Sequence, residues 1–274
     1  MDVLPDIPQD NTDRNRTSPM AFTGNKFEFR MLGSSQSIAG PNIVLNAMMA
    51  ESLSQYADRL EKSDDFMSDL NALIKEVFTA HKRILFDGNG YDDAWIEEAE
   101  RRGLSNLKST ADALKAYTDD KNEALLIKHG VYIEEEMEAR GRIHVENYTA
   151  IINIEGRTMV DMINKDILPA VSEYAAELCA RVQTKQAVGA AAGYEEITAK
   201  KIGTLTDELL VASEKLNSDL ESIPEDEVEA MKFCHDVIIA DMDKARDAAD
   251  QLELLTDNAY WPFPTYSDLL FSER

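Results

Sequence analysis

The stretch Ile202-Gly203-Thr204-Leu205-Thr206-Asp207-Glu208-Leu209-Leu210-Val211-Ala212-Ser213-Glu214-Lys215-Leu216-Asn217-Ser218-Asp219-Leu220 carries its apolar seam at Ile202, Leu205, Leu209, Ala212, Leu216 and Leu220. Ile223-Pro224 and the acidic Glu225-Asp226-Glu227 follow. A second seam then runs through Val228, Met231, His235, Ile238, Met242, Ala245, Ala249 and Leu252. Steps of three and four place each set on one helix face. Alternating the two steps is heptad spacing, which suits near-antiparallel knobs-into-holes packing. The acids fall where a helix start favours negative charge. The pattern predicts a hairpin of two long helices, and with it a mainly α chain built as a bundle of long antiparallel helices.

The neighbouring segments extend the same reading. Val145, Tyr148, Ile152, Met159, Met162, Ile163 and Ile167 recur at helical spacing, predicting one helix over 143–187. Pro169 lies inside it and should kink it, because proline removes a backbone donor and its ring clashes with the preceding turn. Gly189-Ala190-Ala191-Ala192-Gly193 reads as the break before the hairpin. Beyond it, Tyr260-Trp261-Pro262-Phe263-Pro264-Thr265-Tyr266 is expected to be non-helical, with aromatics docked on a neighbouring surface. Toward the N-terminus a helix is expected from about Pro41 to Leu60. Another should run from an N-cap at Ser63 to Ile84 and stop at Asp87-Gly88-Asn89-Gly90. Shorter helices are expected over 91–102, closed by Gly103, and over 119–129, with another short piece within 107–117.

Composition narrows the class. The 274 residues carry 28 Lys and Arg against 52 Asp and Glu, a net charge of −24. Nucleic acid and anionic membrane surfaces repel such a chain. Its two cysteines, Cys179 and Cys234, are far apart and lack metal-ligand spacing, which fits a reducing, cytoplasmic setting. No apolar run approaches the ~18 residues of a membrane span. His81, His129, His144 and His235 show no zinc or metalloprotease spacing. His235, on the seam, is expected to be a packed, hydrogen-bonded side chain.

One stretch is not helical. From Lys26 to Met31 charged and apolar residues alternate, so Lys26, Glu28 and Arg30 share one strand face and Phe27, Phe29 and Met31 the other. Thr23-Gly24-Asn25 reads as the turn of a β-hairpin, and Arg14 and Arg16 stand just upstream. Two readings fit the plus, minus, plus stripe. It can be a solvated edge that discourages aggregation. It can also be a site for an anionic substrate with a metal, since Arg forks onto carboxylate or phosphate oxygens and Glu offers Mg²⁺ a hard oxygen.

Longer words around this strand carry a family resemblance. Asp10-Asn11-Thr12-Asp13-Arg14-Asn15-Arg16-Thr17-Ser18-Pro19, Phe22-Thr23-Gly24-Asn25-Lys26-Phe27-Glu28-Phe29-Arg30 and Gly33-Ser34-Ser35-Gln36-Ser37 resemble the glutamine synthetases, specifically the long type III class. Asn89-Gly90-Tyr91, Trp95-Ile96-Glu97-Glu98-Ala99-Glu100, Arg102-Gly103-Leu104, Ile152-Asn153-Ile154-Glu155, Lys165 to Val171 and the tryptophan-proline tail are similar to the C-terminal extension of that class. The resemblance implies that residues 1–61 end an α+β catalytic domain, the hairpin belonging to it, and that 62–274 are a helical extension. It implies Glu28 as a metal ligand for Mg²⁺ or Mn²⁺ and Arg30 as a contact to the substrate γ-carboxylate. Arg16 would touch the nucleotide phosphates, with Lys26 beside them where the family often has Arg. The implied reaction joins ammonia to glutamate through a γ-glutamyl phosphate made from ATP. The implied assembly is a dodecamer of two hexameric rings. With only one side of the site present, the 274 residues alone are expected to be inactive. The alternative from a different class is a non-catalytic helical oligomerisation or scaffold module.

Overall fold

The computed structural model of the chain describes residues 20–22, 27–30, 33, 36–86 and 89–271, with the backbone alone at 20–22, 27 and 29. The described residues are mainly helical. They group into two compact units that divide between Ala139 and Arg140.

In the first unit, β1 (Met20–Phe22) pairs antiparallel with β2 (Phe27–Phe29), Ala21 standing opposite Glu28. Helix α1 (Ala39–Leu60) follows, then α2 (Phe66–His81), α3 (Asp93–Arg101), α4 (Thr110–Ala113) and α5 (Asp120–Lys128). Their core is small: Ala47 of α1, Leu126 of α5 and Met137 are buried together, with Ile43, Tyr117, Leu125, Val131 and Tyr132 around them. One boundary differs from the sequence reading. The N-cap of α2 is Asp65, whose side chain accepts from Ser68 N at 3.3 Å. Ser63 instead hydrogen-bonds Asp69, the acid of the first turn. The short piece expected within 107–117 is four α residues and a 3₁₀ turn, Leu114–Ala116, starting where Ser109 caps Thr110. Gly103 does close α3: at φ 73° its N–H reaches Glu100 O and that of Leu104 reaches Ala99 O, both at 2.9 Å.

The second unit contains most of the buried apolar side chains. A helical run enters it from α6 (Glu134–Met162), passes through a π segment, Ile163–Ile167, and continues as α7 (Leu168–Ala187). It starts nine residues before the expected 143, since Glu134, Glu135 and Glu136 form its acidic first turn. The π segment answers the Pro169 problem. Leu168 N–H bonds back to Ile163 O, so the ladder is reset one residue before the proline. Helix α8 (Gly193–Leu220) reverses direction after a short link. At that link Gly189, φ 71°, lets its own N–H and that of Ala190 satisfy Gln186 O and Lys185 O. Helices α9 (Glu227–Phe233) and α10 (Ile239–Leu255) return along α8, joined by a second π segment, Cys234–Ile238.

Helix α8 is one arm of the expected hairpin and also the centre of three antiparallel passes. It packs on α7 along one side and α10 along the other. Ile202, Leu209, Leu216 and Leu220 of its expected seam are buried, the first three completely. One core joins Ile202 and Leu209 to Val171, Tyr174 and Leu178 of α7 and Ala245, Ala248 and Leu252 of α10. The return seam differs from the expected one. The residues that face inward are Met231, Cys234, Ile238, Met242, Ala245, Ala248 and Leu252. Val228 is exposed, and His235 is rotated to the rim, where Nδ1 lies 2.7 Å from Asp236 Oδ1. Helix α6 comes close enough at Gly156 that a β-carbon there would lie 2.9 Å from Leu220 Cδ2 and 3.5 Å from Ile238 Cγ2. The tail docks as expected up to Phe263: Tyr260, Trp261 and Phe263 pack on this core, with the Tyr174 and Tyr260 ring centroids 5.1 Å apart. Tyr266, however, opens a short helix, α11 (Tyr266–Leu270), because Thr265 and Asp268 form a capping box.

Candidate functional site

Strand β2 carries Glu28, and Arg30 follows two residues on, so their side chains leave the same face. Arg30 Nε donates to Glu28 Oε2 at 3.0 Å, and Nη2 reaches the same oxygen. About a third of each side chain is exposed, 32% for Arg30 and 40% for Glu28. The pair is a partly open, charge-assisted contact with the carboxylate and guanidinium side by side. Arg16 and Lys26, the other residues expected at this site, lie outside the described residues, as does Asp87-Gly88 of the expected turn.

A second cluster in the same unit gave no motif in the sequence. Glu51 of α1 accepts from Lys128 Nζ at 2.8 Å and Gln55 Nε2 at 2.7 Å, and lies 2.7 Å from His129 Nε2. It joins α1 to the end of α5. Lys128, then Gln55 and His129, hold the Glu51 carboxyl down at about 2 against burial. The only sequence signal was a glutamate one turn after Ala47 and Met48, seventy-odd residues from Lys128 and His129. Elsewhere in the unit, Trp95 of α3 stacks on Phe86 with centroids 3.8 Å apart, and the Arg102 guanidinium lies 5.5 Å from its ring. Arg102 also donates to Leu85 O at 2.7 Å. The Trp95-to-Arg102 word thus fixes the segment after α2 onto α3.

In the second unit a buried carboxylate joins α8 to α10. Asp241 is 4% exposed and accepts from Lys244 Nζ at 3.1 Å and Lys215 Nζ at 3.3 Å. Burial pushes its carboxyl up, but hydrogen bonds with Asp219, Lys244 and Lys215 outweigh this and hold it below the ordinary range. Lys185 likewise pairs with buried Glu195 at the start of α8 and lowers that carboxyl. These pairs read as struts between helices. Among the described residues no three His, Cys, Asp or Glu side chains converge as a metal would require. Nor, among them, is any helix long and apolar enough to cross a membrane.

A family model described as glutamine synthetase C-terminal domain matches residues 69–186. The glutamine synthetase of Butyrivibrio fibrisolvens is 37% identical over 278 residues, covering 97% of this chain and 39% of that protein. The chain is similar to glutamine synthetases along nearly its whole length, and its residues 69–186 to their C-terminal domain. Its resemblance is to the type III class: a relative from Dictyostelium discoideum, named type-3 glutamine synthetase, is 33% identical over 98% of the chain and 38% of its own length. The glutamine synthetase of Bacteroides fragilis (strain YCH46) is 32% identical over 98% of the chain and 39% of its length. The chain thus spans 38–39% of the length of these relatives.

Proposed function

We propose that these residues are the C-terminal portion of a type III glutamine synthetase, which ligates ammonia to glutamate at the expense of ATP. The observation that carries this reading is similarity along 97–98% of the chain to proteins named glutamine synthetase. On this reading residues 1–61 complete a catalytic domain, β1 and β2 being strands of its sheet, and 62–274 form a helical extension.

Arg30 would contact the glutamate γ-carboxylate, and Arg16 and Lys26 the nucleotide phosphates. Adjacent guanidinium and ammonium groups offset the charge that builds on a transferring phosphoryl group. Glu28 fits a divalent ion as a single carboxylate ligand, since Mg²⁺ takes one or two carboxylates and bridges to substrate phosphates. Mg²⁺ or Mn²⁺, when bound, would polarise the phosphoryl oxygens. Before ion and substrate arrive, Arg30 occupies the Glu28 carboxylate. Binding would exchange that pair for two productive ones, metal on Glu28 and substrate carboxylate on Arg30. The remaining metal ligands and most of the nucleotide pocket would come from residues outside the 274, so this stretch alone would not make glutamine. We place the enzyme in the cytoplasm. We infer a dodecamer of two hexameric rings, with the extension making contacts between subunits.

Glu28→Ala and Arg30→Ala in the full-length enzyme, assayed for ATP-dependent glutamine formation, test the site. Each should lower turnover by at least about a hundredfold. Wild-type rates in both would overturn the assignment and favour the scaffold reading.

A further inference from the structure

We propose that the groove between α6 and α10 in the second unit is a docking site for a basic amphipathic helix of a partner protein. This rests on the groove alone and not on the catalytic reading.

The groove has a volume of about 480 Å³. Met159, Ile163 and Ala249 are among the more buried apolar residues of its lining, and Trp261 and Phe263 of the docked tail line it too. Ile154 and Met162 stand on its lip, 65% and 39% exposed. Apolar side chains this open to water form the kind of patch that marks a recognition surface. The α6 wall runs from Ile154 through the π segment to Ile167. At about 1.5 Å per residue that wall is roughly 20 Å long, the length of a helix of three to four turns. Methionine in the lining and on the lip adapts its shape to more than one apolar anchor. A helix laid in such a groove anchors by residues one turn apart.

Charge selects the occupant. The lining contains Glu155, Asp250 and Glu253 against a single Arg246. That arginine is already paired with Asp250 at 3.2 Å. Two net negative charges therefore flank an apolar trough, on a chain of net charge −24. A helix with leucine-like anchors and lysine or arginine beside them matches both features. A second copy of this chain would bring like charge to the rim.

The test uses the whole 274-residue chain and a fluorescein-labelled amphipathic peptide of leucine and lysine, four turns long, read by fluorescence anisotropy. A version with glutamate in place of lysine is the charge control. Ile154→Lys places a charge on the groove lip. Ile143→Lys adds the same charge at another exposed position of α6, 51% exposed, outside the groove lining. Both sites are open, so folding is not at stake. The expected result is that Ile154→Lys weakens lysine-peptide binding by about tenfold or more, as loss of an anchor contact does. Ile143→Lys should change it less than about twofold, and Glu155→Gln with Glu253→Gln should weaken it about three- to fivefold, as rim charges do. Equal losses from Ile154→Lys and Ile143→Lys would mean general attraction to an acidic surface and would overturn the proposal. So would equal binding of the glutamate peptide. A self-associated chain that Ile154→Lys dissociates would also overturn it, by giving the groove to a second copy.

Discussion

Two glycines inside long helices should respond to alanine with opposite signs. Gly203 lies within α8 with nothing within 4 Å of where a β-carbon would sit. Gly156 lies within α6, where that carbon would stand 2.9 Å from Leu220 Cδ2 and 3.3 Å from Cδ1. Alanine is favoured over glycine by about 0.8–1 kcal/mol in a helix interior, and both sites collect this gain. At Gly203 nothing opposes it. At Gly156 the methyl must displace Leu220, which is 2% exposed and cannot swing into solvent. Forcing an extra carbon into a packed core costs about 1–3 kcal/mol. The expected outcomes are a gain of about 1 kcal/mol for Gly203→Ala and a loss of about 0–2 kcal/mol for Gly156→Ala. In urea unfolding followed by circular dichroism at 222 nm, each kcal/mol moves the midpoint by about 0.5 M for a slope of about 2 kcal/mol per M. Gly156→Val should move it down further, adding branches to the same space. If Gly156→Ala stabilised the chain as much as Gly203→Ala, the close packing of α6 on α8 and the second π segment would be refuted.

Leu209→Ala removes a side chain with 0% exposure from the contact of α8 with α7 and α10, and should cost about 2–5 kcal/mol in the same assay. Trp261→Ala should lower stability by less, since the tail covers the core from outside, while increasing binding of a hydrophobic dye. Its failure to do either would refute tail docking. Acid should loosen the first unit through Glu51. Its carboxyl is held from the ordinary 4.5 down to about 2 by Lys128, Gln55 and His129. The stabilisation is therefore complete above about pH 4.5 and is lost as pH falls toward 2. Protection factors of α1 and α5 amides, taken relative to the intrinsic exchange rate at each pH, should fall across that range in the native chain, and Glu51→Gln should flatten the acid limb.

The bundle was legible because its signal is periodic. Ile202 to Leu220 read correctly since α8 is buried along both sides and has no irregularity in it. The return helix read correctly at Met231 and from Ile238 onward, and wrongly at Val228 and His235. Heptad counting carried Met231 to His235 by a step of four, whereas the residue that faces inward is Cys234, a step of three; nor does any side-chain pattern announce the extra residue of the π segment that begins there. Pro169 did announce trouble in its helix, and the structure resolves it by resetting hydrogen bonds just upstream. Long-range polar contacts were not legible. Glu51 with Lys128, and Lys215 with Asp241, are ordinary charges on the page and become partners only after the helices pack. Glu28 and Arg30 were legible as a shared strand face, but their direct contact was not, because alternation fixes a face and not a rotamer.

The two π segments have a consequence for how these helices can change in length. A π turn holds one residue more than the α turns that flank it, so losing one residue there can restore an α ladder while the flanks keep their faces. Anywhere else in the same helices, a one-residue loss turns everything downstream by about 100°. The two segments are nevertheless unequal. At Cys234–Ile238 nothing downstream objects, since Ile239 N–H, now bonded to Cys234 O, could simply take the next carbonyl. At Ile163–Ile167 shortening would set the ring of Pro169 against the carbonyl one turn back, the clash the π turn avoids. Homologues that keep a proline at 169 are thereby bound to keep the extra residue before it, while those of the return helix are free to drop theirs.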